Sequence, residues 1–382
     1  ASEVTIDAYD WNDDMDELAS AASEGLMVSN HSYGLGFGYN WTGVSWSWAG
    51  DASISEEEDY RFGFYSQDAA NWDELALEAP YLLMFVSAGN DRGEGPADGE
   101  YPVDGGADGF DCIGGKALAK NLMAVGSIHD LADGYSQADE VEASSFSSWG
   151  PSDDGRVKPD IVGNGQGLYS ASSQGDDNYM SMSGTSMSSP NTTGSAILLQ
   201  EHYHNRFGEY MKAATLKSLI IHTANEAGPN PGPDYMFGWG VMNTAAAAEV
   251  ISDNPENAFI KEEELADGQT YTFDVFATGE EPLKATINWA DQPGSPVNPE
   301  LDPRDPMLVN DLDLRIKKAG EAWKPWKLDP ENPEAAATRG DNTVDNVEKI
   351  ELQNPDPGVY TVEVTHKESL EAAPQDFSMI IS

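Results

Sequence analysis

Hydrophobic and polar positions alternate with two different periods along the first third of the chain. Val4-Thr5-Ile6-Asp7-Ala8-Tyr9 alternates residue by residue and predicts a strand. The stretch 12–25 puts Met15, Leu18, Ala19 and Ala22 on one face and predicts a helix stopped by Gly25. Leu26-Met27-Val28-Ser29-Asn30 follows as a buried strand, and a polar, aromatic-rich insertion runs from about Gly34 to Tyr65. A helix over 69–79, the apolar strand Leu82-Leu83-Met84-Phe85-Val86 and a further strand Leu122-Met123-Ala124-Val125-Gly126 continue the series. Strands alternating with helices imply an α/β fold, a mostly parallel sheet with helices on both faces. Function in such folds gathers at the carboxyl ends of the strands.

Further along, the period changes. A helix is predicted over 213–224, and a Pro/Asn/Asp stretch over 251–258 has the composition of a linker. Beyond it come Tyr271-Thr272-Phe273-Asp274-Val275, Ala285-Thr286-Ile287-Asn288-Trp289, Asp311-Leu312-Asp313-Leu314-Arg315-Ile316 and Tyr360-Thr361-Val362-Glu363-Val364. These short strands, punctuated by Gly and Pro, predict an antiparallel β jelly roll or sandwich. The expected organisation is therefore an α/β domain over 1–253 and a β domain over 258–382.

Within the first of these lies Ser181-Met182-Ser183-Gly184-Thr185-Ser186-Met187-Ser188-Ser189-Pro190, which leads into the apolar run Ala196-Ile197-Leu198-Leu199. A hydroxyl-rich loop closed by Gly and opening into a helix places a serine at the positive end of the helix dipole, a suitable setting for a nucleophile. Pro190 is expected in the first turns of that helix, where a missing N–H costs little. Serine-rich N-caps with no chemistry are the commoner use of such a composition. The Gly-x-Ser-x-Gly elbow of the α/β-hydrolases does not fit, because position 188 is Ser.

Gly184-Thr185-Ser186-Met187-Ser188-Ser189-Pro190 resembles the nucleophile motif of the subtilisin-like serine proteases, with Ser186 as nucleophile. Asn30-His31-Ser32-Tyr33-Gly34 is similar to the family segment whose backbone pairs with the substrate, which implies Ser32, Tyr33 and Gly34 as substrate-binding residues. Ser87-Ala88-Gly89-Asn90 resembles the oxyanion-hole segment. The resemblance implies Asn90 as the amide donor, with Ser87, Ala88, Gly89, Gly184 and Thr185 lining the substrate. Phe146-Ser147-Ser148-Trp149-Gly150-Pro151, Gly155-Arg156-Val157-Lys158-Pro159-Asp160-Ile161 and Phe237-Gly238-Trp239-Gly240-Val241-Met242-Asn243 also look like family stretches. Val162-Gly163-Asn164-Gly165 departs from the family's Ala-Pro-Gly. Leu308-Val309-Asn310-Asp311-Leu312-Asp313-Leu314 and Asp345-Asn346-Val347-Glu348 look like the jelly roll found behind one subgroup of these proteases.

The family's triad runs Asp, His, Ser along the chain, yet this sequence holds no Asp-Thr-Gly and no His-Gly. The strand expected from Val4 matches the family after its catalytic histidine helix. The resemblance thus implies an N-terminally truncated domain, whose Asp and His belong to a missing N-terminal segment of the same protein. Three readings stand: a serine endopeptidase seen in part, an inactive binding or scaffold protein of the same fold, and an unrelated hydrolase that recruits one of the six histidines.

Composition narrows the partners. Lys+Arg 20 against Asp+Glu 67 gives a formal net charge of -47, a field that repels nucleic acid and anionic membranes. Ten tryptophans and 39% hydrophobic residues exclude an unfolded acidic chain, leaving a folded, halophilic type of protein with a carboxylate-rich surface. The single Cys112 precludes an internal disulfide. Protein or peptide substrates, a monomeric state and a secreted location are the expectations. A structural Ca²⁺ is expected at Asn310, Asp311 and Asp313, with Asp291 as a further ligand, because the resembling jelly rolls bind calcium and the ion seeks such oxygens. Screening of the surface charge should raise the thermal unfolding midpoint between low and molar NaCl; a midpoint that stays level or falls would contradict the halophilic reading.

Overall fold

A computed structural model of the chain describes residues 4–96 and 102–382; Ala1-Ser2-Glu3, the start of the expected first domain, lies outside the described residues. The first part runs α1 (Asp14–Ser23), β1 (Val28–His31), β2 (Tyr39–Trp41), β3 (Trp46–Trp48), α2 (Gln67–Glu78), β4 (Leu83–Ser87), β5 (Met123–Ile128), β6 (Ile161–Asn164), β7 (Leu168–Ala171), β8 (Tyr179–Met182), α3 (Thr185–Phe207), α4 (Ala213–Thr223) and α5 (Thr244–Asp253). Strands β1, β4, β5 and β6 form one parallel sheet in that order.

Side chains on successive strand residues point to opposite faces, and here both faces are dry. Leu83, Phe85, Met123, Val125 and Ile161 meet Ala196, Leu199 and Tyr203 of α3 together with α4 and α5. Leu82, Met84, Val86, Leu122 and Ala124 turn the other way, onto Leu18 of α1 and Trp72 and Leu75 of α2. The continuous apolar runs in the sequence have this cause.

The expected strand over 4–9 is absent. Val4, Ile6 and Tyr9 are exposed, and no described strand pairs with the segment, so its alternation reflects no ladder. The insertion after Gly34 contains the β2–β3 hairpin, with Trp41 against Trp46. The linker-like composition at 251–258 is partly helical, since α5 continues to Asp253; its start is capped by Asn243, whose Oδ1 accepts the Ala246 N–H at 3.0 Å.

The second part contains β9 (Phe259–Leu265), β10 (Tyr271–Ala277), β11 (Leu283–Asn288), β12 (Leu312–Lys318), β13 (Glu321–Trp323), β14 (Trp326–Lys327), β15 (Thr338–Arg339), β16 (Val347–Leu352), β17 (Gly358–His366) and β18 (Gln375–Ile381). Two four-stranded antiparallel sheets, β10-β17-β12-β13 and β16-β11-β18-β9, enclose one core around Trp289, Leu314, Val362 and Met379. Ile260 and Ile380 reach from the second sheet into the core beneath α4, so the β sandwich packs directly on the α/β part.

A buried lysine fastens that packing. Lys120, between the first part's core segments, pairs with Asp291, and both side chains are 0% exposed. Its ammonium also donates to the carbonyls of Gln292 and Met307, each at 2.6 Å, so all three donors are used. Asn121 beside it exchanges two bonds with the Asp291 backbone, at 2.8 and 2.9 Å. Lys120→Ala would leave a buried, unpaired carboxylate. It should lower unfolding stability by roughly 3–5 kcal/mol, read from the urea midpoint.

Candidate active site

Helix α3 begins at Thr185 with Gly184 at its N-cap, at φ 156. Its first N–H groups have no carbonyl one turn back, and the loop supplies them with other partners. The Thr185 N–H donates to Asn90 Oδ1 at 2.8 Å, and the Thr185 hydroxyl donates to the same oxygen at 3.0 Å. With Oδ1 taken twice, the Asn90 amide presents its NH₂ end elsewhere. A Cβ on Gly184 would lie 3.8 Å from Asn90 Nδ2 and 3.6 Å from the Ser186 nitrogen, so both donors border the space that glycine leaves open.

The remaining hydroxyls of the serine loop hold it to the sheet. Ser188 Oγ donates to the carbonyls of Gly126 and Gly163, at 2.7 and 2.9 Å, and Ser189 Oγ donates to Asn30 Oδ1 at 2.8 Å. Three strands, β1, β5 and β6, are thereby tied to one helix mouth. Pro190 is the sixth residue of α3, within its first two turns as expected, and it cannot donate to the Ser186 carbonyl one turn back. That carbonyl instead accepts the Ser32 hydroxyl at 2.9 Å. In return, Ser186 Oγ donates to the Ser32 carbonyl over a long 3.4 Å.

The 87–90 turn is buttressed from behind. Gly89 has φ +114, its N–H faces Thr185 Oγ1 at 3.3 Å, and its carbonyl accepts the Ser148 N–H at 3.0 Å. Ser148 Oγ accepts the Asp91 N–H at 3.1 Å. Arg92 donates to the carbonyls of Ser147 and Ser144 while its guanidinium lies 3.8 Å from the centre of the Trp149 ring. Burial raises the Asp91 carboxyl to about 6 against the pull of Ser148 and backbone donors. These supports in 144–149 explain why that stretch accompanies the cleft; sequence spacing gave no sign of them.

Ser32, Tyr33 and Gly34 follow β1 beside the serine. The Tyr33 ring folds away, its hydroxyl donating to Asp14 Oδ2 at 2.6 Å and Lys116 lying 3.6 Å from the ring centre. Gly34 is exposed, and a Cβ there would meet nothing within 4 Å, so this backbone edge is open. Ser87 ends β4, and the Ala88 N–H continues the ladder to the Val125 carbonyl at 2.9 Å.

Among the described residues no histidine or carboxylate bonds to Ser186 Oγ. His31, the nearest in sequence to the substrate segment, is buried with Nε2 at 2.9 Å from Ser29 Oγ and Nδ1 at 2.9 Å from the Tyr33 hydroxyl. Burial, aided by Lys116, lowers its pKa to about 4. His202 bonds Ser252, His204 stacks on Tyr210, His222 is buried between Thr286 and Ser382, and His366 accepts the Gly268 N–H. His129 is exposed beyond β5.

The four expected calcium ligands do not form one cage. Asp291 faces Lys120 and the N–H groups of Val309 and Asn310, each 2.8 Å from its carboxylate. The Asn310 amide is spent on Glu371 and Gln375. Asp311 and Asp313 share Lys367, at 3.3 and 3.4 Å, and Asp313 also meets Arg315 at 2.9 Å. These ion pairs engage one oxygen of Asp313 and one of Asp311, whose Oδ1 is buried without a hydrogen-bond partner among the described residues.

A parallel α/β sheet with a serine at a helix mouth and an amide donor on the neighbouring strand's loop defines a serine protease-type domain. The chain belongs to the subtilase family: the family model described as Peptidase_S8, Subtilase family, matches residues 3–240. It is 43% identical over 90 residues to C5a peptidase of Streptococcus pyogenes, a match covering 23% of this chain and 8% of that protein. It is 30% identical over 158 residues to the Serine protease/ABC transporter B family protein tagB of Dictyostelium discoideum, covering 30% of this chain and 8% of that one. The chain thus spans under a tenth of these relatives' own length. The self-cleaved protease domain of PatA superposes with a TM-score of 0.42 at 20% identity, covering 63% of this chain and 67% of that one.

Gly89 tests the geometry of the donor loop. A methyl group there would lie 2.6 Å from Asp91 Oδ2 and 2.8 Å from Ser148 Oγ, on a backbone that L residues avoid. Gly89→Ala should cost roughly 1–3 kcal/mol of stability, measured by chemical denaturation.

Proposed function

We propose that this chain carries the nucleophile and oxyanion hole of a serine endopeptidase. The observation that carries the reading is the double hold of Thr185 on Asn90 Oδ1, which leaves the amide NH₂ beside the Ser186 N–H. A peptide laid along Ser32, Tyr33 and Gly34 would bring its scissile carbonyl to Ser186. As Oγ bonds to the carbonyl carbon, the carbonyl oxygen takes the electron pair and is received by Asn90 Nδ2 and the Ser186 N–H, at the positive end of α3. Collapse expels the amine and leaves an acyl-enzyme, which water hydrolyses.

The Ser186 proton needs a base, and none of the six histidines is bonded to Ser186. On this reading the base is a histidine oriented by an aspartate, both supplied by polypeptide outside these 382 residues. The acidic surface accords with secretion into a salty medium and with peptide rather than nucleic-acid partners. The unaccompanied Ser186 hydroxyl favours a second reading, a subtilase-fold binding protein without turnover.

The isolated chain should hydrolyse peptides only at a residual rate, roughly 10³–10⁴-fold over water, the level that an oxyanion hole and binding retain when a triad is lost. Joined to a segment supplying Asp and His, it should gain orders of magnitude, and Asn90→Ala should then remove roughly 10²–10³-fold in kcat. Fast, fluorophosphonate-sensitive proteolysis by the isolated chain, abolished in Ser186→Ala, would show that a base is already present. No gain on joining would favour the binding protein.

A further inference from the structure

A second group of carboxylates lies apart from the serine. Glu58, Asp111 and Asp302 each offer an oxygen, and these oxygens all lie within 4.8 Å of one another. Asp153 borders the group on the Asp111 side. It is 2% exposed, and neither of its oxygens has a hydrogen-bond partner among the described residues. One oxygen each of Asp111 and Asp302 is likewise buried without a partner.

The unpartnered oxygens converge. A Cβ on Gly63 would sit 2.0 Å from Asp153 Oδ1 and 2.7 Å from Asp111 Oδ1, so both oxygens border the space that this glycine leaves open. The surrounding backbone is fixed: the Asp153 N–H donates to the Gly63 carbonyl at 3.0 Å and the Asp111 N–H to the Gly150 carbonyl at 2.8 Å. Arg304 is the nearby cation, but its side chain is used elsewhere. Its Nη1 donates to the Asp153 carbonyl at 2.6 Å, and its Nε pairs with Glu331 at 3.2 Å. Burial, compounded by Asp111 and Asp302, drives the Asp153 carboxyl to about 10, and burial with Asp302 and Asp59 lifts Glu58 to about 7. Arg304 offsets part of this repulsion through space but bonds none of the four carboxylates, and buried carboxylates left so either hold protons or hold a metal ion.

We propose that Glu58, Asp111, Asp153 and Asp302 form a binding site for one hard divalent cation, Ca²⁺. Calcium takes six to eight oxygens at about 2.3–2.6 Å, so oxygens on opposite sides of one ion lie about 5 Å apart, and the oxygens of Glu58, Asp111 and Asp302 are close enough together for one ion to touch all three. Mg²⁺, smaller and reluctant to shed water, suits a crowded carboxylate set less well. The ligands come from four separate segments, and Asp302 belongs to the loop between β11 and β12. The ion would therefore clamp the β sandwich to the α/β part at a second point besides Lys120. It is distinct from Asp291, Asn310, Asp311 and Asp313.

The test is calorimetry and melting of the chain after EDTA treatment and desalting, titrated with CaCl₂ in constant molar NaCl so that screening does not change. One saturable site should appear, with a melting temperature raised by several degrees. Asp153→Asn and Asp302→Asn should each weaken calcium binding at least tenfold, while Asp311→Asn leaves it unchanged. In EDTA both cluster variants should melt at or above the wild-type temperature, because repulsion is relieved; in calcium they should melt below it. Absence of saturable heat in the wild type, undiminished binding by both variants, or variants that melt lower in EDTA as well as in calcium would each overturn the proposal.

Discussion

Asp160 is the interaction on which the cleft depends. Its Oδ2 accepts the Ala124 N–H at 2.8 Å and Lys158 Nζ at 2.7 Å, and its Oδ1 pairs with Lys217 of α4 at 2.7 Å. One carboxylate thus fixes the adjoining strands β5 and β6 and the helix behind them. Burial opposes its ionisation, yet Lys158 and Lys217 outweigh burial and hold the Asp160 pKa below the ordinary carboxylate value. The two strands it sets contain Gly126 and Gly163, whose carbonyls receive the Ser188 hydroxyl, so the mouth of α3 takes its position from strands held by this buried charge.

The same economy runs through the molecule. The chain has 20 cationic side chains, and Lys120, Arg156, Lys158, Lys217 and Lys349 are buried. Each works where a carboxylate or several carbonyls need a donor: Arg156 against Asp154, Lys349 against the Ile221 carbonyl at the end of α4. Spending them inside leaves even fewer to balance the 67 acidic residues outside. Ion pairs such as Lys212 with Asp376 and Lys317 with Glu363 engage only some of these carboxylates, and dissolved salt weakens the repulsion among the others. The cluster around Asp153 is the interior counterpart, a buried group of carboxylates to which no lysine was assigned.

The parallel sheet was legible because β4 and β5 are buried on both faces and therefore read as unbroken apolar runs. Sites at strand ends followed from topology, and the structure brings Ser186 and Asn90 together as the motif resemblance implied. Strand β6 was hidden because only Ile161 and Val162 are apolar before Gly163. Hairpin β7–β8 was hidden because its strands are short and exposed, so its mostly apolar residues show no alternation between a buried and a solvent face. Val4 to Tyr9 misled for the opposite reason: alternation is a property of side chains, whereas a strand requires a neighbour to take its N–H and carbonyl groups. Strand β9 escaped because its centre is a run of charged, solvent-facing side chains, and β16 and β18 escaped because polar residues in them are buried. Glu348, with an oxygen accepting the Leu314 N–H at 2.5 Å, is one such residue.

The residues first expected to bind calcium have other partners in the fold, for a reason that sequence cannot supply. Asn310, Asp311 and Asp313 have the composition of a cation loop, but whether carboxylates face a cation or a lysine depends on residues far along the chain, here Lys367 on the connection after β17. The cluster at Asp153 is the converse case. Its members are separated by tens to hundreds of positions, and only folding brings them together. Pro190 shows the same dependence on a small scale. Removing one N–H from α3 frees the Ser186 carbonyl, and the Ser32 hydroxyl that takes it ties the substrate edge to the nucleophile's own backbone. The half of the cleft that receives charge is thus assembled wholly from bonds within this chain. Its geometry, the Ser186 hydroxyl beside the Asn90 amide, is therefore set by this chain's own hydrogen bonds.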